Sequence, residues 1–171
     1  TNQRLEIGPM LQQAGGSHYN GLRSAASYNF TNAYCAVEVV QAAGANTAAD
    51  AMLTVGRDVD NYYRIFVESG TLVIARKIGG AKATMMTMSY SSVNHRYWRI
   101  RHEQSTNRVV FEAAADSGGA PGSWTQMYSE VWSTSGVPLA TVQMELKAGT
   151  WQAEANGGGK VIFDNFKLAK P

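Results

Sequence analysis

The sequence predicts an all-β chain, a two-sheet antiparallel β-sandwich or jelly roll of about a dozen strands. Three observations carry this. Apolar and polar residues alternate with period two along most of the 171 residues, and no 3.6-residue stripe runs through them. Segments rich in Val, Ile, Tyr, Phe, Trp and Thr recur at spacings of about 8–12 residues, separated by Gly, Asn, Asp and Ser. That many strands in one chain call for two stacked sheets rather than a small barrel. At this length residues 1–171 read as one domain, able to bury roughly 70% of the surface of its unfolded chain.

The first strands are predicted over residues 4–7, 19–24 and 33–41. In the third, Cys35, Val37 and Val39 fall on one face, and Tyr34, Ala36, Glu38 and Val40 on the other. The Ala-rich stretch 42–51 carries Gly44 and no helical periodicity, so it reads as a loop. Strands 51–57 and 62–68 flank the turn Asp58-Val59-Asp60-Asn61. Tyr63, Ile65 and Val67 read as core, with Tyr62, Arg64, Phe66 and Glu68 opposite. Ser69-Gly70 leads into strand 72–77, and Ile78-Gly79-Gly80 into 84–90. In 96–102, Trp98 and Ile100 face the core while Tyr97, Arg99 and Arg101 share the other face. In 108–113, Val109 and Phe111 oppose Arg108, Val110 and Glu112. Strands 124–128 and 141–147 follow Ser117-Gly118-Gly119, and Asn156-Gly157-Gly158-Gly159 precedes strand 161–168. There Ile162, Asp164 and Phe166 share a face, and an inward Asp164 would need an Arg, backbone amides or a metal ion.

The net charge of +2 hides an asymmetry. Between Asn61 and Arg108 stand eight basic residues against Glu68 and Glu103, so this block is +6 and the remainder −4. If the strands of the block are neighbours, one sheet face carries Tyr62, Arg64, Arg76, Arg99 and Arg101. Guanidinium forks suit carboxylate, sulfate or phosphate, and aromatic rings stack on sugars, so this set is the candidate ligand-binding face. The alternative is a cross-strand ladder, with Arg64, Arg99 and Arg101 paired to Glu38, Glu68, Glu112 or Glu145. The modest total charge argues against nucleic-acid binding. No apolar run approaches the roughly 20 residues of a membrane-spanning helix, so no membrane insertion is expected. A chain opening on Thr1 reads as a mature form or an excised domain.

Cys35 is the only cysteine, so no internal disulfide forms, and its alternating neighbours predict a buried structural thiol. His18, His95 and His102 are too scattered for a zinc site. Asp58, Asp60 and Asn61 are too few ligands for a calcium loop, and no cofactor is expected, calcium near Asp164 being the one possibility. Glycosidase chemistry needs two carboxylates about 5–5.5 Å apart. Glu38, Glu68, Glu112 and Glu145 are each alone on their strand, so the chain reads as a non-enzyme with no catalytic residues. Trp98 and Trp124 are predicted in the core. Trp132 and Trp151 lie in less regular segments, where an exposed ring could stack on a sugar.

The order Tyr62-Tyr63-Arg64, Tyr97-Trp98-Arg99-Ile100-Arg101, Val109-Val110-Phe111-Glu112 and Ser123-Trp124-Thr125, then Glu145 to Thr150 and Phe163-Asp164-Asn165-Phe166, resembles the concanavalin A-like lectin/glucanase jelly rolls, laminin-G-like modules included. The resemblance covers nearly the whole chain. It implies a secreted or cell-surface recognition module, probing a glycan or another surface protein through its concave sheet. The paired-acid motif of that superfamily's glucanases is absent, as is a legume-lectin metal loop. The implied function is non-catalytic carbohydrate binding. The alternative is a structural or assembly domain of a surface layer, filament, adhesin or phage particle, with self-association.

Overall fold

Among the described residues, twelve strands form where the alternation places them. The computed structural model describes residues 4–8, 16–154, 157 and 159–170, so part of the turn signal at 156–159 lies outside the described residues. The strands are β1 (Leu5–Ile7), β2 (His18–Arg23), β3 (Tyr34–Gln41), β4 (Ala49–Asp58), β5 (Asn61–Glu68) and β6 (Thr71–Ile78). There follow β7 (Ala81–Ser89), β8 (Tyr97–Glu103), β9 (Arg108–Ala114), β10 (Thr125–Val131), β11 (Gln143–Thr150) and β12 (Val161–Ala169). Two six-stranded sheets result, in the orders β1-β12-β3-β8-β9-β10 and β2-β11-β4-β5-β6-β7. All the strand pairs are antiparallel.

The meander β4 to β7 is set by its turns. Asp58 accepts hydrogen bonds from the Asp60 amide and the Asn61 side-chain amide, both at 2.9 Å, which closes the first hairpin. Ser69 and Gly70 both have positive φ, 49° and 74°, as do Gly79 and Gly80 at 58° and 83°. That pattern is the two-residue turn whose twist matches the flanking strands. Beyond β7, an edge strand, the chain crosses to the other sheet before β8 begins.

The core lies between the sheets, where Trp98, Trp132, Tyr63, Phe30, Phe111 and Phe163 are the largest fully buried side chains. Each such ring contributes roughly 1.5–3 kcal/mol through burial. Trp132 is therefore not an exposed loop ring. It packs 4.8 Å from Tyr63, and its indole donates to the Val137 carbonyl at 2.7 Å. Trp124 departs from expectation the other way, half-buried on the outer face of the first sheet. Cys35 is wholly buried as predicted.

In β12 the alternation breaks. Asn165 has a φ of 50° and the register slips between Asp164 and Lys167, a bulge that leaves Phe166 45% exposed and returns Leu168 opposite buried Cys35. Phe163, not Asp164, points inward. Asp164 pairs across the sheet with Glu38 and binds Arg4 at 2.9 Å and the Asn165 amide at 2.8 Å.

Candidate functional site

The arginine block does not form one face. Tyr62 and Arg64 stand on the outer face of the β2-β11-β4-β5-β6-β7 sheet, whereas Arg99 and Arg101 stand on the outer face of the opposite sheet. The crossing after β7 separates them. Arg76 is on neither outer face. The short turn before β6 pairs Val67 with Leu72, so Leu72, Ile74 and Arg76 point inward, and Arg76 reaches Glu130 of β10 at 2.5 Å. It ties the two sheets together at one end of the sandwich.

Arg99 and Arg101 meet the ladder reading. Both bind Glu112 Oε2, at 2.6 and 3.2 Å, and Arg101 also binds Glu103 at 3.0 Å. The Arg99 guanidinium lies 4.2 Å over the Trp124 ring and 5.5 Å from that of Tyr34. Arg96 is likewise held by Glu38 at 2.7 Å. A depression of about 400 Å³ on this face is lined by Tyr34, Tyr97, Trp124 and Phe166, with Arg99 held by Glu112 and Lys167 lying 5.9 Å from the Tyr34 ring.

The other outer face is differently built. Strand register arranges it in cross-strand rows: Tyr19, Gly149, Asp50 and Glu68, then Gly21, Lys147, Met52, Phe66 and Val73, then Arg23, Glu145, Thr54, Arg64 and Ala75. Met52, Phe66, Val73 and Ala75 form a small apolar floor, with Tyr19 packed against it. Charged side chains lie over the rings rather than away from them. The Arg64 guanidinium is 4.2 Å above Tyr62, Lys82 is 5.7 Å from Phe66, and Lys147 is 5.8 Å from Tyr19. Tyr62 and Phe66 are consequently only 7% exposed, so neither offers a bare ring.

Tyr19 and Asp50 are two strands apart, about 10 Å at ordinary strand spacing. The phenol spans that gap across Gly149, where a Cβ would stand 2.6 Å from the Tyr19 ring. Its hydroxyl donates to Asp50 Oδ2 at 2.6 Å. Asp50 is 3% exposed, and its other oxygen, Oδ1, has no hydrogen-bond partner. Burial pushes the Asp50 carboxyl up to about 7, and Glu68 adds to this while the Tyr19 bond, Arg64 and Lys82 oppose it. Burial and Asp50 also hold the Tyr19 phenol above its ordinary range.

Glu68 stands directly opposite Asp50 and accepts from the indole of Trp151, a ring 49% exposed. These residues wall a depression of about 390 Å³ with Lys82 at its rim. A second depression of about 230 Å³ adjoins it and shares Arg64 and Lys147. Arg64 donates through Nε to Thr54 at 2.9 Å, and among the described residues neither it nor Lys82 joins an ion pair. Of the predicted set, Tyr62 and Arg64 stand here, beside Tyr19, Asp50, Glu68, Lys82, Lys147 and Trp151.

No group of three or more His, Cys, Asp or Glu placed to hold a metal occurs among the described residues. No helix among them is long and apolar enough to cross a membrane.

No family model matches the chain, and no curated protein does. Solved structures do. The exoplasmic/lumenal domain of VIP36, in its Ca²⁺/Man₃GlcNAc-bound form, superposes with a TM-score of 0.68 at 10% identity, covering 98% of this chain and 83% of that one. The fold is the concanavalin A-like jelly roll. A legume lectin-like domain from Entamoeba histolytica shares this jelly roll with a TM-score of 0.58 at 8% identity, over 99% of this chain and 90% of that one. A bifunctional GH43-CE protein of Bacteroides eggerthii matches with a TM-score of 0.63 at 15% identity, over 98% of this chain but only 21% of its own. The jelly roll thus stands here beside both lectin-like domains and parts of larger glycoside-processing proteins.

Proposed function

We propose that the chain is a non-catalytic recognition module of a secreted or cell-surface protein, binding carbohydrate on the outer face of the β2-β11-β4-β5-β6-β7 sheet. One observation carries the reading. Asp50 sits at the floor of an open depression with one carboxylate oxygen fixed by Tyr19 and the other unpartnered. A buried polar group left unpaired costs about 1–3 kcal/mol, and a ligand oxygen accepting from the protonated Asp50 carboxyl recovers that energy. Trp151 offers an exposed ring at the wall of the same depression for stacking on a sugar face. Support comes from the lectin-like neighbours, one of them solved with an oligosaccharide bound.

The test is a glycan array probed with the native chain and with Trp151→Ala, an exposed change that spares the core. Binding to at least one glycan, lost in the variant, is the expected result. No binding to any glycan, or binding indifferent to Trp151, overturns it.

A catalytic reading has one observation in its favour. The sequence shows no two acids paired along a strand, yet β4 and β5 bring Asp50 and Glu68 into register across strands. Their environments differ, one buried and raised, the other capped by an indole. Such a difference suits an acid and a nucleophile. Release of new reducing ends from a bound polysaccharide by the native chain, absent in Asp50→Asn, would favour hydrolysis over binding alone.

A further inference from the structure

Resting on the binding reading above, we infer that the carbohydrate is an acidic chain, a uronic-acid polysaccharide whose carboxylates are taken by Arg64, with Lys82 alongside. The argument is one of unspent charge. Most of the basic block has internal carboxylates: Arg76 with Glu130, Lys77 with Asp60, Arg96 with Glu38, and Arg99 and Arg101 with Glu112. Arg108 is held by the Ser129 hydroxyl and carbonyl. Arg64 and Lys82 stand apart, on one face, at the rim of one depression, with no carboxylate partner among the described residues.

Arg64 is also preorganised. Its Nε is fixed on Thr54, and its plane is laid on the Tyr62 ring. The terminal nitrogens are thereby left for a ligand, and a guanidinium fork matches a carboxylate bidentately. The acids at the site cancel this charge only in part. The neutral Trp151 indole caps one oxygen of the Glu68 carboxylate without removing its charge, while burial pushes the Asp50 carboxyl up to about 7. Glu145 is engaged by Lys147 at 3.2 Å.

The two depressions meet at Arg64 and Lys147, so the site is a trough running along β4 and β5 rather than a single pocket. A trough accommodates several linked rings. It would place the carboxylate of a central sugar at Arg64 while a neighbouring ring stacks on Trp151 and accepts through a hydroxyl oxygen from the Asp50 carboxyl.

The experiment titrates the chain with polygalacturonate, alginate and hyaluronan, each beside its carboxyl-reduced neutral counterpart, at low and high salt. At least one acidic chain is expected to bind about tenfold more tightly than its neutral counterpart, the factor that one charge-assisted hydrogen bond carries. The preference should shrink with salt. Arg64→Met should bring the acidic chain down to the affinity of its neutral counterpart in the same variant, and Arg64→Lys should restore part of the preference. Thermal melts of both variants confirm folding, and Lys82→Met supplies an independent loss should Arg64→Met prove unstable. Equal binding of acidic and neutral chains overturns this inference but keeps the binding reading. Failure of every polysaccharide, acidic or neutral, overturns both.

Discussion

Replacing Asp50 by Asn changes one atom in a buried site and should make the fold more stable, increasingly so as pH rises. The folded chain holds the Asp50 proton up to about 7, whereas an ordinary aspartate releases it near 3.8. Between these values the unfolded chain binds fewer protons than the folded one, so this group's contribution to stability declines as pH rises and levels off above about 7. The ceiling of the effect is about 4 kcal/mol. Solvent entering the open depression raises the effective dielectric there, and about half of that is a fair expectation, about 2 kcal/mol. The substituted side-chain amide would still accept from Tyr19 and cannot ionise. For a chain of this size, 2 kcal/mol corresponds to about 4–8 °C in Tm. The assay is thermal unfolding by circular dichroism at intervals from pH 4 to 8, comparing variant with native. The gap should widen by that amount in favour of Asp50→Asn. A gap that stays constant with pH, or one that widens in favour of the native chain, refutes the placement of a protonated acid at the floor of the site.

Two further expectations concern the scaffold. Burial holds the Cys35 thiol up at about 12, so in the native fold a thiol reagent should label it only at the rate of unfolding; immediate labelling near pH 8 would contradict its position between the sheets. Arg76→Met removes the cation that reaches Glu130, whose other oxygen is buried without a partner, and should cost about 1–3 kcal/mol in urea unfolding while leaving any glycan affinity unchanged; loss of affinity at constant stability would return Arg76 to the ligand site.

The fold was readable because strand alternation is a local signal. Each strand was recoverable from its own residues, and the turns Ser69-Gly70 and Gly79-Gly80 announced their hairpins through residues that tolerate positive φ. The site was only half readable. Arg64 and Arg99 look alike in sequence, each facing away from a core position on an aromatic-rich strand, and nothing local says that they lie on opposite sheets. That distinction rests on where the chain crosses after β7. Arg76 is not legible from a polar-outward alternation, because its register with Tyr63 turns it toward the core. Asp50 is hidden for a related reason. Its partners Tyr19 and Glu68 come from other strands, and spacing along a single strand does not show a pair formed across strands. A polar residue opposite a polar residue, among Ala49, Ala51 and Leu53, was the signal available.

The four tryptophans provide the most direct check on the central claim, that carbohydrate binds the β4–β5 face. Trp98 and Trp132 are buried, Trp151 walls the Asp50 depression, and Trp124 lies on the opposite sheet beneath Arg99. In a nuclear magnetic resonance titration with a glycan that binds, the indole N–H signal of Trp151 should shift in proportion to saturation while that of Trp124 stays in place. A shift at Trp124 with Trp151 unmoved would assign binding to the wrong face of the sandwich and contradict the account.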